Sequence, residues 1–572
     1  MKRGEKKILL SWNRGLGDIA LGLYAIIQRI REWIPDAEIT FLIRENLRDG
    51  FSMLENIRVL IAPDWKRGKE FSVRETLNQL KIDPKTFDLI IEKPNPTHWV
   101  SWQLGKIVPR LKWNSEHDAL WKKFDLPEEF TYIAVQVAAE TQYGLWRNWP
   151  LSRWNDLFTR LESIKNIKII LFGFGNEPTF THKNIIDLRG QTSLFELLSI
   201  VKNRCKAALL PDSGILSMIY YLDVEFAFQL ISLWADPNHG ILKQAVASPN
   251  GQLVHRPLIG SHRDLSAVSV SQVMNALFPV KPLVQCARSS FPLQPFEAKM
   301  GAIILAGGQG SRLGISGPKG TFMIGNKSLF QWACEKAPKE NFPIAIMTSP
   351  LNHLETVSFF QKHDYFGREV YFFQQKMRPF CDENKKPLKA MGPDGNGGVF
   401  KIFAESGMSD FFASKKIDAV TIIPVDNPLA DLNDIELIAH HFATRSEVTI
   451  KCIERLHPKE SMGALVERCN RIEIVEYIDL DPNLQYVYAN TGIMVMNLSF
   501  LAKMAQIELP LHYVKKVFLG RPVLKAEQFI FDALPYASKV EALCSSREAC
   551  YAPLKDLQSL DLESIKRISS VA

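Results

Sequence analysis

Two cations, Arg312 and Lys319, follow closely on Gly307, Gly308 and Gly310 in the stretch GAIILAGGQGSRLGISGPKG, Gly301 to Gly320. Glycines leave backbone N–H groups open to a polyanion with no Cβ in the way, and the Arg and Lys stand where phosphate charge would lie. The chemistry these residues suit is the holding of a nucleoside triphosphate. A glycine string alone often only tightens a turn, but here the glycines, the arginine and Pro318-Lys319-Gly320 come in order within one strand–loop unit. It is not a Walker loop, because no Gly-Lys-Ser/Thr ends it and no helix starts at the lysine. A second string, GPDGNGG at Gly392–Gly398, has four glycines among seven residues, and so many forfeit backbone entropy that a turn alone does not require. Asp426-Asn427 ends the apolar run Ala419–Val425. An acid there suits one protein ligand for Mg²⁺, whose octahedron phosphates and waters commonly complete; the plainer alternative is an Asx turn.

The elements that must position these groups are readable as well. Gly301–Ala306 and Ala419–Val425 read as buried parallel strands, Lys327–Glu335 as a helix, Phe342–Thr348 as a strand and Val370–Gln375 as a strand ending in two glutamines. The run LPLHYVKK, Leu509–Lys516, reads either as a helix with a solvated basic end or as a ligand-binding run. In the first half, strands at Lys7–Trp12, Ile39–Arg44, Asp88–Glu92, Tyr132–Val137, Lys168–Phe172 and Ala207–Leu210 alternate with helices at Asp18–Trp33, Ser152–Ile164, Leu194–Asn203 and after Gly214. Such alternation predicts parallel sheets built from βαβ units, here in two Rossmann-like series. Asp18 sits on the first strand–helix turn, as a cleft acid or a helix N-cap. Asp212-Ser213-Gly214 opens a helix whose N-terminal amides suit a diphosphate, or simply caps it.

Bulk properties narrow the class. A chain of 572 residues is too long for one core. Apolar content of 46% and charged content of 23% are those of a globular protein. The net charge of +7 permits attraction to anionic substrates or an acidic membrane surface, and no basic cluster interleaved with aromatics points to nucleic acid. Eight cysteines carry no C-x-x-C pair or zinc spacing, and no apolar run reaches membrane-span length. The expectation is a reduced, cytoplasmic protein. The proline-rich stretch Pro279–Lys299 reads as a linker, which predicts lobes at 1–127 and 128–278, a linker at 279–298 and a further domain at 299–572.

The glycine–Arg–Lys stretch resembles the signature L-x-x-G-x-G-T-R-L-G-x-x-x-P-K-G of the UDP-sugar pyrophosphorylases, in particular those for UDP-N-acetylhexosamine, with Ser311 in place of Thr. GPDGNGG resembles the P-N-G-N-G-G loop, with Asp394 for the first Asn, and Asp426-Asn427 resembles V-D-N. Met347–Phe360, Glu476-Tyr477, Ala489–Ile493, Lys525–Asp532 and the Arg547–Lys555 string resemble further segments, so the likeness spans about residues 300–556. The resemblance implies a GT-A-like nucleotidyltransferase α/β domain with a mixed central sheet. It implies nucleotide contacts at Ala306, Gly307, Gly308, Gly310, Gln374, Gly397 and Gly398, with Gln374 reading uracil. Sugar contacts fall on Asn396, Glu476 and Asn490, phosphate contacts on Arg312, Lys319 and Lys525, and Mg²⁺ on Asp426. Against that family, the expectation is of a different unit in place of its segment before the glycine loop and of no lobe after the P-L-K string.

Residues of about 6–275 resemble glycosyltransferase family 9, the heptosyltransferase-like enzymes, on Arg14–Asp18, LWRNWP at Leu145–Pro150, Phe172–Glu177 and Pro211–Gly214. This implies a GT-B-like pair of lobes, with Asp18 as the catalytic acid and Arg147, Asp212, Ser213 and Gly214 holding the donor. Ser217 stands where that family has His, Gly22 and Tyr24 replace Thr and Pro, and Arg147 replaces Lys.

Together these imply that the second half transfers uridylyl from UTP to a sugar 1-phosphate, N-acetylglucosamine first, giving a UDP-sugar and pyrophosphate, while the first half works on a glycan or lipid-linked acceptor in cell-envelope synthesis. Two alternatives stay open. One is a UDP-glucose or broad-specificity enzyme with a degenerate, binding-only transferase half; the other is a nucleotide-sugar sensor.

Overall fold

Apolar runs without strict alternation form strands covered on both faces, as parallel sheets require. The computed structural model describes Gly4, Lys69 and residues 6–67, 71–139, 145–175, 177–261, 263–288, 296–382, 386–518 and 520–556. Asn176 of the Phe172–Glu177 string and part of the expected linker lie outside the described residues. The chain divides into two units, Met1–Pro279 and Val280–Ala572. Among the described residues, no helix is long and apolar enough to cross a membrane.

The first unit holds two main all-parallel sheets. One has the order Ile57–Ala62, Glu38–Arg44, Lys7–Trp12, Leu89–Ile91. The other runs Leu253–Ile259, Phe228–Trp234, Cys205–Pro211, Thr131–Val135, Ile167–Leu171, Ile185–Asp187. Helices Leu194–Arg204 and Val270–Leu277 start at capping boxes, Ser193 with Glu196 and Ser269 with Gln272. The helix expected over Asp18–Trp33 is shorter: Gly17–Ile19 is a single 3₁₀ turn and the α-helix is Leu23–Trp33. Gly22 between them is extended (φ 173°) and interrupts the run. Asp18 therefore lies inside the turn and does not cap an α-helix.

The second unit is built on a mixed sheet. Its path runs Ala287–Arg288, Val540–Cys544, Val448–Glu454, Tyr488–Asn497, Ala419–Pro424, Met300–Leu305, Ile344–Thr348, Val370–Gln374. The last four are mutually parallel, while Tyr488–Asn497 runs antiparallel to both its neighbours. Ile303 faces one core with Val420 and Ile422, and Ala302 and Ile304 face the other with Ile344 and Ile346, all fully buried. That two-sided burial explains why Gly301–Ala306 shows no alternation. The segment read as a linker enters this sheet: Lys281–Pro282 pairs with Ala464–Arg468, and Ala287–Arg288 with Val540–Cys544.

A separate antiparallel sheet has the order Pro387–Pro393, Met377–Cys381, Arg521–Glu527, His512–Phe518. The basic run LPLHYVKK is thus largely strand, and the helical alternative for it fails: His512 to Phe518 pair residue by residue with Glu527 to Arg521. The helix expected from Lys327 begins at Leu329, because Lys327–Ser328 forms a hairpin with Met323–Ile324 and Ser328 caps the helix.

Candidate active site

The strand ends place the chemistry. Leu305 pairs with both Met347 and Pro424, so three neighbouring parallel strands end level. Their exit loops stand side by side, where open parallel sheets bind ligands. A cleft of about 620 Å³ opens there, lined by the glycine loop, Arg312, Lys319, Gln375, Asn396, Asp426, Lys525 and Glu527 among others. The four charged residues expected to act together, Arg312, Lys319, Asp426 and Lys525, all line it.

The glycine loop folds back on the Pro-Lys-Gly string. Gly310 N–H donates to the Gly317 carbonyl at 2.9 Å and Lys319 N–H to that of Gly308 at 3.2 Å. This doubling carries Lys319 back beside the glycines. Asn352, only 1% exposed, holds the loop from beneath. Its Nδ2 donates to the carbonyls of Ala306 (2.9 Å) and Gly308 (3.1 Å), and its Oδ1 accepts from the Ser349 N–H at 2.8 Å. Gly307 is needed for close approach, since a Cβ there would stand 1.7 Å from Gln375 Nε2. At Gly308 a Cβ would meet open space, so that backbone faces the cleft bare.

Two lysines of the cleft are already paired. Lys319 Nζ lies 2.7 Å from Asp426 Oδ2, and Lys525 Nζ donates to Glu527 Oε1 at 2.5 Å. Both pairs are largely buried, and an entering polyanion would compete with the carboxylates for the lysines. Arg312 is exposed. Asp426 is the cleft acid not bonded to Lys525, and among the described residues no cluster of three or more His, Cys, Asp or Glu forms a metal cage. The donor set fits Mg²⁺ held by one carboxylate and completed by phosphates and water, and not a closed protein cage.

Other expected residues fall elsewhere. Gln374 is exposed at the strand end, whereas Gln375, 5% exposed, lines the cleft. Successive residues of a strand point to opposite sides, so a one-residue offset moves the amide out of the site. Ala306 is buried behind the glycine loop. Gly397 and Gly398 line a smaller cavity of about 270 Å³, with Arg378 and Asp394. Their backbone approaches protein: a Cβ on Gly397 would stand 2.8 Å from the Gln528 and Phe529 backbone, and Gly397 N–H bonds the Gln528 carbonyl at 2.8 Å. Gly395, at φ +95°, completes that fit. Asn396 does reach the cleft, with its Oδ1 held by the Ile530 N–H at 3.0 Å. Asp394 is 3% exposed, and burial raises its carboxyl against the pull of Arg378.

Glu476 and Asn490 are not among the cleft-lining residues. Asn490 closes a local turn, its Oδ1 accepting from Gly492 N–H at 3.0 Å. Burial raises the Glu476 carboxyl, with His512 opposing. His512 Nε2 lies 2.8 Å from Asp532 Oδ2. Burial alone would lower that imidazole; the hydrogen bond and charge of Asp532, with Asp479 and Glu476, outweigh it and raise it. Sequence reasoning missed Asn352, Gln375 and Glu527. All three stood inside segments already noted: Gln375 beside Gln374, Glu527 close to Lys525, and Asn352 within Met347–Phe360, from which no residue was chosen.

In the first unit, Arg147 Nη1 sits 3.1 Å from Asp212 Oδ2 and its guanidinium lies 5.0 Å over the Trp146 ring. Ser213 Oγ accepts from Leu216 N–H at 3.3 Å, capping Gly214–Tyr220, and donates to Gln136 Oε1 at 2.8 Å. Gly214 packs on Gly17, where a Cβ would come within 2.9 Å of the Gly17 nitrogen. The Asp18 turn and the Asp-Ser-Gly turn are therefore in contact. Asp18 Oδ2 accepts from Gly15 N–H at 3.1 Å. Burial raises both Asp18 and Asp212, against Gly15 N–H and Arg14 for the first and Arg147 for the second. Ser217 is 2% exposed and bonds back to the Ser213 carbonyl at 3.4 Å.

The family model for UTP–glucose-1-phosphate uridylyltransferase matches residues 276–566. The chain belongs to that family. Among its relatives, UDP-N-acetylglucosamine diphosphorylase 2 of Arabidopsis thaliana is 32% identical over 313 residues, covering 46% of this chain and 62% of that protein. A protein of Encephalitozoon cuniculi named "Probable UDP-N-acetylglucosamine pyrophosphorylase" is 33% identical over 282 residues, covering 46% of this chain and 82% of that one. The crystal structure of the uridine diphosphate N-acetylglucosamine pyrophosphorylase from Trypanosoma brucei with an inhibitor covers 48% of this chain and 65% of its own, at 24% identity and a TM-score of 0.43. The chain thus spans 62% and 63% of the length of the two Arabidopsis relatives.

Proposed function

We propose that the second unit transfers the uridylyl group of UTP to a sugar 1-phosphate, giving a UDP-sugar and pyrophosphate, with N-acetylglucosamine 1-phosphate as the preferred acceptor. The observation that carries this reading is the gathering of Arg312, Lys319, Asp426 and Lys525 around one cleft floored by the glycine loop. Family membership and relatives named for UDP-N-acetylglucosamine support the nucleotide and the sugar.

A phosphate oxygen of the sugar phosphate attacks the α-phosphorus in line. The new P–O bond forms as the bond to the β-phosphate oxygen breaks, and its electrons leave with pyrophosphate. The nucleophile is already an anion, so no proton needs to move and no general base is required. Catalysis then rests on positioning and charge neutralisation. The N–H groups of the glycine loop and Arg312 hold the triphosphate, with Lys319 released from Asp426 to the phosphates. Lys525, drawn from Glu527, neutralises the sugar phosphate. Gln375 faces the nucleotide beside Gly307 and is the better candidate for reading uracil. Mg²⁺ held by Asp426 would supply further charge neutralisation at the phosphate oxygens.

The test is pyrophosphate release from UTP with N-acetylglucosamine, N-acetylgalactosamine or glucose 1-phosphate, with and without Asp426→Ala. The first sugar should give the highest kcat/KM, and Asp426→Ala should lower it at least a hundredfold. A glucose preference would favour the UDP-glucose reading; no release with any sugar would favour a sensor.

For the first unit, we infer a GT-B-like, family 9-like sugar-transferase fold. What supports it is the contact of Gly17 with Gly214, which seats Asp18's turn against Asp212-Ser213, beside Arg147. Ser217 in the His position leans toward a unit that binds a nucleotide sugar without transferring it. Donor hydrolysis by the full chain, absent in Asp18→Ala, would show transfer chemistry; donor binding without hydrolysis would show the binding-only form.

A further inference from the structure

The glycine-rich loop 393–398 is a wall with a hollow on each side. Pro393, Gly395 and Asn396 line the main cleft, whereas Asp394, Gly397 and Gly398 line the separate cavity of about 270 Å³. The end of the strand Arg521–Glu527 divides the same way: Glu527 lines the cleft and Gln528, the next residue, lines the cavity. The two segments are tied together, Gln528 N–H donating to the Asp394 carbonyl at 2.9 Å and Gly397 N–H to the Gln528 carbonyl at 2.8 Å. The uridylyl transfer derived above uses no side chain of this cavity.

The cavity holds polar atoms that the protein leaves without partners. Asp394 is 3% exposed, and its Oδ1 accepts no hydrogen bond among the described residues; Arg378 Nε, buried in the same cavity, donates none. Buried polar groups are nearly always paired, so an acceptor and a donor left over together call for a partner from outside that offers both. Three cations line the cavity, Lys376, Arg378 and Lys401, against two acids, Asp394 and Glu508. Lys376 bridges Glu405 at 2.6 Å, which leaves Arg378 and Lys401 as the cations best placed for an anion. The volume suits a small metabolite rather than a nucleotide. We propose that this cavity binds a small phosphorylated polyol, its phosphate on Arg378 and Lys401 and a hydroxyl donated to Asp394, and that its occupation braces the shared wall. Glycines leave that wall conformationally free, so a ligand pinning Asp394 on one side fixes Asn396 and Glu527 on the other and favours sugar 1-phosphate in the cleft. By linkage the two ligands then strengthen each other's binding by the same factor. The binding site stands on its own geometry; only its effect on the cleft rests on the uridylyltransferase reading.

Calorimetry on the full chain, without UTP or metal, uses glucose 6-phosphate as the probe and glucose and inorganic phosphate as its two halves. Glucose 6-phosphate should bind roughly tenfold or more tighter than either half, and Arg378→Gln should weaken it by a similar factor, the range of a charge-assisted hydrogen bond. Lys401→Gln, at an exposed lysine, should weaken it in the same direction and keeps the test open if Arg378→Gln does not fold. Lys525→Ala, in the main cleft, should leave the affinity unchanged. In turnover, saturating glucose 6-phosphate should lower the KM for the sugar 1-phosphate about fivefold, at the low end of usual coupling between sites. Arg378→Gln should lose that response while its KM without the probe matches wild type. Absence of binding at millimolar probe, binding that survives both cavity variants, or binding lost in Lys525→Ala overturns the site. Inorganic phosphate binding as tightly as glucose 6-phosphate overturns the polyol assignment. Binding in the cavity that leaves the KM unchanged or raises it overturns the bracing of the wall. Protein that binds glucose 6-phosphate as described yet makes no UDP-sugar overturns the uridylyltransferase reading and leaves the site standing.

Discussion

Asn352 offers a strict test of how the glycine loop is held. Asn352→Asp keeps the side chain's shape and the 2.8 Å bond that Oδ1 receives from Ser349 N–H. It replaces Nδ2 by an oxygen facing the carbonyls of Ala306 and Gly308, now 2.9 and 3.1 Å away. A buried polar group that loses its partner costs about 1–3 kcal/mol; the buried Ala306 carbonyl carries that in full and the part-buried Gly308 carbonyl less, which together puts about 2–4 kcal/mol against the loop's position. If that sum is felt where the triphosphate binds, kcat/KM for UTP falls roughly 30- to 1,000-fold, at about 1.4 kcal/mol per tenfold. Initial rates of pyrophosphate release at saturating sugar 1-phosphate give the number, and circular dichroism separates a displaced loop from a lost fold. A folded Asn352→Asp protein within threefold of wild type would refute the reasoning, because the loop would then not depend on those two bonds.

Gly307→Ala places a Cβ 1.7 Å from Gln375 Nε2, so the amide must swing away; UTP affinity should drop at least tenfold by the tight-contact reasoning. Adding Gln375→Ala should recover the melting temperature but not the UTP affinity, and recovery of both would show that Gln375 reads nothing. His512→Asn should destabilise mainly at low pH. The folded imidazole is raised above its ordinary value of 6.5, so its stabilisation is full below that value and is lost as pH rises through the folded pKa. Denaturation midpoints between pH 5.5 and 8.5 should show the wild-type advantage shrinking with pH; an advantage that grows with pH contradicts the His512–Asp532 assignment.

Much of the site was legible because its chemistry is concentrated at strand exits. Gly301–Ala306 and Ala419–Val425 read as strands from apolar content alone, and a glycine loop and an acid directly after such strands could hardly avoid sharing a cleft. What escaped was decided by single-residue geometry or by distant pairing. Gln374 and Gln375 differ only in which side of a strand exit each occupies. The glycines of Gly392–Gly398 were read as approaching a ligand, but Gly397 approaches the Gln528–Phe529 backbone, a partner more than a hundred residues away. LPLHYVKK has its strand state because Arg521–Glu527 supplies a ladder, which no local pattern announces. The proline-rich join enters the sheet for the same reason. Asn352 carried no pattern of its own, being one polar residue at a helix start, yet it ties the loop together.

The most direct measurement is a crystal structure of the full chain soaked with UTP and Mg²⁺. The account predicts the triphosphate in the cleft, its oxygens within hydrogen-bond reach of the Gly308 backbone, Arg312 and Lys319, with Lys319 drawn off Asp426 and the metal on that carboxylate. Nucleotide bound elsewhere, with the Lys319–Asp426 pair intact at 2.7 Å, would contradict it.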